Sequence, residues 1–420
     1  MQLSSPRRFL ALFTLALGGF GIGTTEFATM GILPLAGTEL VAGFDADPAG
    51  GIARAGWMIT AYALGVVVGA PLVSVWAARM SQRTLVLVLV TAFTIANLAS
   101  GLMPSFELTI LARFLSGIPH GAYFGVAALL AARIMGPGRQ GAGVALALSG
   151  LTIANIIGVP LGTWLGQVAG WRWTYVAVAV VFLLTLVLAW LVLPHVPGNP
   201  ARSARRELRA FRKPQLWLMI AVGCIGFGGF FAVYSYAAEI VTRVGGLPPS
   251  AIAWLLATIG VGMTVGNVIG GWAADRSIRR TIIIAFPLLI ASLGLFALLG
   301  WQPVAMFVLA FFIGGTGSVL NPTIQARIMR IAGEAELLGA ATNHAAFNVG
   351  NALGAALGGA VIAAGLGYLA PAWIGVGLAG IGFLLALWSL AIDRGPDTAA
   401  QHVVVTVLGP TTAGIEVVDR

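Results

Sequence analysis

Charge is scarce in this chain: 9% of its 420 residues are Asp, Glu, Lys or Arg, while 59% are hydrophobic. A soluble domain carries about 25% charged residues. The polar surface is too small to coat a water-exposed protein of this length, and the mean hydropathy is +0.95. Cysteine is almost missing. Cys224 stands alone in an apolar stretch, which excludes an intrachain disulfide and leaves thiol chemistry silent about compartment. Lysine occurs once, at Lys213, so the loop GxxxxGK(S/T) that an ATP-driven pump needs is absent. The four histidines, with His195 and His402 outside the apolar stretches, do not form the clustered ligands or nucleophile–base sets of a membrane-embedded enzyme. The chain therefore reads as a non-enzyme without metal or bound cofactor. A sensor or scaffold would need an appended soluble domain, and the longest segment outside the apolar stretches is a short C-terminal tail.

What is there is hydrophobic length. Stretches long enough to cross a bilayer, roughly 20 residues each, recur at 9–34, 56–78, 84–103, 108–132, 143–168, 173–193, 216–238, 251–273, 281–299, 303–328, 339–364 and 369–392. The first follows Arg7 and Arg8 like a signal peptide, but it is too long for one and contains Glu26. The reading is an all-α membrane protein of twelve transmembrane helices.

The net charge of +9 invites a nucleic-acid partner, and its distribution rejects one. With the N-terminus inside, nineteen of the 23 basic residues fall in cytoplasmic segments, among them Arg79, Arg83, Arg133, Arg276, Arg280, Arg327 and Arg330. Outer segments hold Arg54, Arg172 and Arg243, and Arg113 lies within the fourth span. Basic residues are retained on the cytoplasmic side during insertion. The split therefore predicts an even span count and a multi-pass protein of the inner (plasma) membrane with both termini cytoplasmic. The lipid bilayer and a small-molecule substrate are the partners expected, and nothing in the pattern calls for a second copy of the chain.

An internal repeat organises the spans. At an offset of 197, Trp57 matches Trp254, Gly65 matches Gly262, Gly69 matches Gly266, Arg79 matches Arg276 and Arg83 matches Arg280. At 196, Asn155, Gly158 and Gly162 match Asn351, Gly354 and Gly358. The implied domains are a six-helix bundle over 1–193, a basic cytoplasmic linker over 194–214, a second six-helix bundle over 215–392 and a cytoplasmic tail over 393–420. From Ser203 to Arg212 the linker reads either as a short amphipathic helix on the inner leaflet or as a solvated loop. Parallel six-span repeats describe a transporter whose halves rock around a midplane site.

Few ionisable side chains sit inside the spans, and each such residue is a functional candidate. Glu26 lies in GTTEFATMGILP and Arg113 near the start of the fourth span. At 1.5 Å per residue both fall roughly 7–12 Å below the outer interface, where they can meet. An acid that alternates between an apolar cavity and a guanidinium neighbour can take a proton in one setting and release it in the other. Glu26 is read as the proton carrier and Arg113 as its modulator; the other reading is a static ion pair fastening two helices. His120, on the helix face of Arg113 and Gly117, either joins this proton-coupling set or is satisfied by a neighbouring helix. Pro160 should kink the fifth span, with Gly158 and Gly162 on a flat packing strip. Asn155, Asn343, Asn348 and Asn351 supply amides for a substrate path or for inter-helix bonds. Tyr234 and Tyr236 supply either an aromatic wall for a ligand or part of an aromatic belt.

Several strings resemble a known family. GGWAADRSIRR (270–280) resembles the loop motif between helices 8 and 9 of the major facilitator superfamily, with Gly271, Asp275, Arg276, Arg279 and Arg280 in place. The copy in the first half keeps only Arg79 and Arg83, with Ser74, Ala78 and Ser81 at the other positions. Arg113 with Gly117 resembles the helix 4 arginine motif, and Gly158-Val159-Pro160 with Gly162 is similar to the helix 5 antiporter motif. YALGVVVGAP, RFLSGIPHGAYFG and AFNVGNALGA resemble the arabinose efflux permease group, in the twelve-span drug:proton antiporter branch. The resemblance covers nearly the whole chain. It implies efflux of a small solute such as a sugar, nucleoside or drug, driven by the proton gradient with no bound cofactor, with the loop and helix 5 motifs as gating elements. A uniporter or importer is the alternative within transport. In that group proline tends to end helix 7 where Glu239 stands, so Glu239 reads either as solvated at the outer interface or as a second titrating site.

Overall fold

The computed structural model describes residues 4–77, 80–136, 139–195, 212–332 and 336–392. Among them, twelve helices are long and apolar enough to cross a membrane. They are α1 (Ser5–Leu40), α2 (Pro48–Ala70), α3 (Gln82–Leu102), α4 (Phe106–Met135), α5 (Ala142–Ala169), α6 (Trp171–Val192), α7 (Pro214–Val244), α8 (Ser250–Arg276), α9 (Ile278–Leu299), α10 (Pro303–Ala332), α11 (Thr342–Ala363) and α12 (Ala370–Ile392). Most of the linker, the tail and the loop bearing Arg79 lie outside the described residues. Helices dominate because hydrocarbon offers no partner for backbone N–H and C=O groups, so each span must satisfy its own. Large apolar side chains such as Ile95, Trp190, Val268 and Leu384, each more than 60% exposed, coat the outer face as a bilayer requires.

Several helices run further than hydropathy suggests. α1 continues through Pro34 to Leu40, because proline removes one hydrogen bond while ending the helix would expose several backbone groups. Elsewhere the winding loosens. α4 is built from Phe106–Gly117 and His120–Met135 with Ile118 and Pro119 between them. In α5 the expected disturbance at Pro160 takes the form of a wide turn over Ala154–Gly158, where Val159 N–H reaches back five residues to the Ala154 carbonyl. α7 contains two such turns, Val222–Gly226 and Ile240–Val244. Wide turns of this kind are rare and concentrate at functional sites.

The repeat in the sequence recurs in the packing. A methyl group at Gly65 would strike the Phe114 carbonyl and one at Gly69 the Ile118 carbonyl, both at 2.0 Å, where α2 crosses α4. Gly262 and Gly266 meet the carbonyls of Phe311 and Gly315 in the same way, at 2.3 and 2.0 Å, where α8 crosses α10. All four pairs differ by the offset of 197. Likewise Gly158 packs on Thr24 of α1, and Gly354 packs on the Gly228 carbonyl of α7.

An even number of spans returns the chain to the side on which it began. Several contacts between the first six spans and the last six lie towards the opposite side. Tyr236 of α7 abuts Gly56 of α2 and Gly359 of α11, Gly359 meets Ala53, and Gly31 of α1 lies against Leu256 of α8. Gln167 of α5 donates to the Pro249 carbonyl at 2.7 Å.

Two charged residues are more deeply buried than their places in the sequence suggest. Arg327, expected in a cytoplasmic segment, is 1% exposed and donates to the Ser389 carbonyl of α12 at 2.8 Å, because α10 extends past it. Glu239 is 3% exposed rather than solvated. The wide turn that follows it tucks its carboxylate inward, where Arg243 Nε donates to it at 3.2 Å.

Candidate functional site

The buried polar residues of α1, α2 and α4 converge on one region, and α7 and α11 close it from the other repeat. Arg113 is fully enclosed, a placement that costs about 2.5–3.5 kcal/mol on insertion scales at a helix centre and needs compensating contacts. It has them. Nη1 donates to Thr25 Oγ1 at 2.9 Å, Nη2 to the Thr25 carbonyl at 3.1 Å and Nε to the Met58 carbonyl at 3.4 Å. The guanidinium also lies 4.5 Å from the ring centre of Tyr62 and 5.1 Å from that of Tyr175, a geometry in which ring quadrupoles attract a cation. Thr25 Oγ1 donates in turn to Asn97 Oδ1, and Asn97 Nδ2 to the Phe93 carbonyl at 2.9 Å. Tyr175 Oη pairs with Thr29 Oγ1 at 2.9 Å.

Glu26, one residue along, is 5% exposed and turns away from this cradle. Its Oε1 faces Asn351 Nδ2 of α11 at 3.5 Å and its Oε2 faces His120 Nδ1 at 3.8 Å. Glu26 and Arg113 thus share a neighbourhood without forming an ion pair; the guanidinium bonds are taken by Thr25 and Met58. His120 Nδ1 is also 2.9 Å from Tyr62 Oη. Across the seam, His344 of α11 stacks on Phe124 with ring centres 5.0 Å apart and planes 8° from parallel, and it lies 5.8 Å from the His120 ring.

α7 adds aromatic walls. Tyr234 packs against Phe27 at 5.6 Å and Phe230 at 5.1 Å, and its buried hydroxyl has no hydrogen-bond partner. Tyr236 differs: its Oη donates to the Ala355 carbonyl at 2.5 Å, so it fastens α7 to α11. The amides hold similar positions. Asn343 Nδ2 faces Asn321 Oδ1 at 3.4 Å and Asn348 Nδ2 donates to the His344 carbonyl at 3.0 Å. The Oδ1 atoms of Asn155, Asn343, Asn348 and Asn351 are buried and unpartnered. An unpaired buried polar group costs about 1–3 kcal/mol, so donors from a solute or water are favoured there. Among the described residues no group of three His, Cys, Asp or Glu is arranged to hold a metal ion.

The loop-motif residues lie apart from this cluster. Asp275 is exposed and carries no ion pair among the described residues. Arg276 lies 3.6 Å over the Trp272 ring and donates to the Trp272 carbonyl at 3.0 Å. Gly271 has nothing against it, Ser277 caps α9 by accepting from the Arg280 backbone N–H on its Oγ at 3.1 Å, and Arg83 donates to the Trp190 carbonyl. Gly158, Pro160 and Gly162 sit at and just after the wide turn of α5, with Thr174 Oγ1 donating to the Gly162 carbonyl at 2.7 Å.

Thr25, Tyr62, Asn97 and Tyr175 belong to the site without standing out in the sequence. The repeat held a signal for Tyr62. At the offset of 197, Tyr62, Arg113 and His120 face Ile259, Ala310 and Gly317, so the polar cluster is where the two copies differ.

Twelve spans in two repeats, with a buried acid, two histidines and unpartnered amides on the seam between them, define a polytopic membrane transporter. Comparison with known proteins specifies the class. The family profile described as the Major Facilitator Superfamily matches residues 15–245 and 237–406, and the chain belongs to that superfamily. It is 36% identical to the inner membrane transport protein YdhP of Escherichia coli (strain K12), over 90% of this chain and 95% of that one. It is 35% identical to AraJ of the same strain, over 85% and 89%, and 31% identical to a chloramphenicol resistance protein of Streptomyces lividans, over 90% and 95%. The crystal structure of a D-xylose-proton symporter superposes with a TM-score of 0.71 at 18% identity, over 91% of this chain and 97% of that one. This is a multi-pass inner-membrane transporter, not an enzyme.

Proposed function

We propose that the protein is a proton-coupled exporter of a small solute, exchanging it for protons by alternating access and drawing on the proton gradient as its only energy source. The observation that carries this reading is the position of Glu26. Its carboxylate faces His120 from one repeat and Asn351 from the other, so any motion of the repeats changes what surrounds it. Protonated Glu26 is neutral and donates a hydrogen bond; ionised Glu26 only accepts. The Asn351 amide answers both states, with Nδ2 for the carboxylate and its unpartnered Oδ1 for a carboxylic O–H. A hydroxylated solute that takes the amides of α11 competes with Glu26 for Asn351, and this competition is the exchange step. Arg113, fixed by Thr25, supplies a permanent positive charge beside the acid.

The substrate-path residues in this reading are Tyr234, Asn155, Asn343, Asn348 and Asn351. Sugars, nucleosides and phenicol-type drugs each combine hydroxyl donors with an apolar face, which suits unpartnered amide oxygens beside the Phe27–Tyr234 wall. The chloramphenicol resistance protein among the relatives supports an amphiphilic solute of this kind. The surplus of arginine in segments on the side of the termini supports cytoplasmic termini. One chain encloses the seam, so the working unit is a monomer.

The test is proton release from proteoliposomes on addition of arabinose, uridine or chloramphenicol, comparing wild type with Glu26→Gln. A solute-evoked signal that vanishes in Glu26→Gln is expected. A solute carried by wild type with no proton movement would make the protein a uniporter and end the antiport reading.

A further inference from the structure

We propose that His344 is the second station of a proton path that begins at Glu26, passes through His120 and crosses the seam between the two repeats. The inference deepens the antiport reading and rests on it.

Three observations place the path. First, His120 lies between the two repeats: its Nδ1 has Tyr62 Oη at 2.9 Å and Glu26 Oε2 at 3.8 Å, and the His344 ring is 5.8 Å away between centres. Imidazole takes a proton on one nitrogen and yields one from the other, so a histidine held between an acid and a second histidine is built to relay. Second, the second ring is held in place. Phe124, one helical turn beyond His120 on α4, stacks nearly parallel on His344 and so sets the position of the α11 ring relative to the α4 ring. Third, burial falls along the way, from His120 at 2% exposed to His344, which is half-buried. His344 lies seven residues before Asn351 on α11, about 10 Å nearer the side of the termini at 1.5 Å per residue. The three groups therefore descend from the midplane towards that side.

The surroundings favour this direction. Facing the path are Glu26 from α1, Tyr62 from α2, Arg113 from α4, Tyr234 from α7, and Asn348 and Asn351 from α11; Glu26 is the carboxylate among them and Arg113 the cation. Arg113 lies seven residues from His120 towards the opposite side, and its charge repels a proton moving that way. In one passage the Glu26 O–H bond breaks as an N–H bond forms on His120. The other nitrogen of His120 gives its proton to His344, which releases it to water, and one proton has moved with both rings returned to neutral. Because His120 and His344 belong to different repeats, motion of the repeats changes the distance between the two rings.

Two measurements on the full chain test the path. The first needs no solute: spectra of nitrogen-labelled histidine in lipid nanodiscs, where the chain carries only four imidazoles. Rings that share a proton titrate as a set, so His120→Gln and Glu26→Gln should each move the titration midpoint of His344 by about 0.5 pH unit or more. A midpoint unmoved by both variants overturns the path. The second uses whichever of arabinose, uridine and chloramphenicol evokes proton release from wild type. His344→Gln should slow that release by about tenfold or more, a typical scale for loss of a proton-transfer group, while solute counterflow without a pH gradient stays within about twofold. Release at the wild-type rate, or equal loss of counterflow, overturns the assignment of His344. If Glu26→Gln abolishes release and His344→Gln does not, the path falls and the antiport reading stands. If wild type carries the solute without protons, the antiport reading itself falls.

Discussion

Arg113 shows how much of the site depends on geometry finer than charge. Two of its bonds go to one residue, the hydroxyl and carbonyl of Thr25, and two aromatic rings flank it. Lysine carries the same charge on a single compact ammonium and cannot span two acceptors in this fork-like manner. Arg113→Lys is therefore expected to lower solute transport by about tenfold or more and to destabilise the protein by about 1–3 kcal/mol, the cost of leaving a buried acceptor unpaired. Transport assays and thermal melts of the detergent-solubilised variant check both. Wild-type behaviour would mean that the Thr25 fork is dispensable. Glu26, Arg113 and His120 were legible as candidates because a charge in a span of apolar residues is conspicuous. Thr25, Tyr62 and Tyr175 were not, because threonine and tyrosine are ordinary in membrane helices. Thr25 is marked by a bond to Arg113 across 88 residues of chain and the two tyrosines by ring contact with the same guanidinium, which no local pattern encodes. The burial of Glu239 was not legible for a related reason. Near a helix end, hydropathy reports depth in the bilayer but not whether a side chain faces solvent or the protein interior.

At the scale of helices, glycine does two different things that the sequence shows alike. Gly266 lies where α8 crosses α10, with a backbone carbonyl 2.0 Å from where its Cβ would stand. Gly271, five residues on in the loop motif, has nothing within 4 Å of that position. Gly266→Ala should therefore force the two helices apart and cost about 1–3 kcal/mol, the usual range for overpacking. Gly271→Ala should leave the melting temperature unchanged, so any transport defect in it would report on gating and not on packing. Equal melting temperatures for the two variants would contradict the close crossing. The count of spans was legible because twenty apolar residues have few other fates. Their ends were less so: α1 outruns Pro34 because a continuous helix is the cheaper way to satisfy its backbone. The wide turns of α5 and α7 have no signature in hydropathy at all.

The whole molecule combines a symmetric scaffold with an asymmetric site. The carbonyl–glycine crossings repeat at 197 residues, while Arg113, His120 and Tyr62 have apolar counterparts. A scaffold built from equivalent halves has two equivalent ways to tilt, and Arg113, His120 and Tyr62, which have no polar counterparts in the other half, make the two tilts chemically different. If the repeats do rock, the contacts opposite the termini must open in every cycle. Ala53 of α2 and Gly359 of α11 meet there, and a Cβ at Gly359 would stand 3.4 Å from that of Ala53. That is close to the roughly 3.5–4.5 Å that a disulfide requires. The Tyr236 hydroxyl, 2.5 Å from the same position, has to be cleared. The variant to make carries Ala53→Cys and Gly359→Cys with Tyr236→Phe, and with Cys224→Ser to remove the native thiol. Oxidation should cross-link α2 to α11, halt solute transport and leave solute binding from the side of the termini intact, with reductant restoring transport. Undiminished transport by the cross-linked protein would show that this side never opens. The Glu26–Asn351 contact would then have to change by some motion other than rocking of the two repeats.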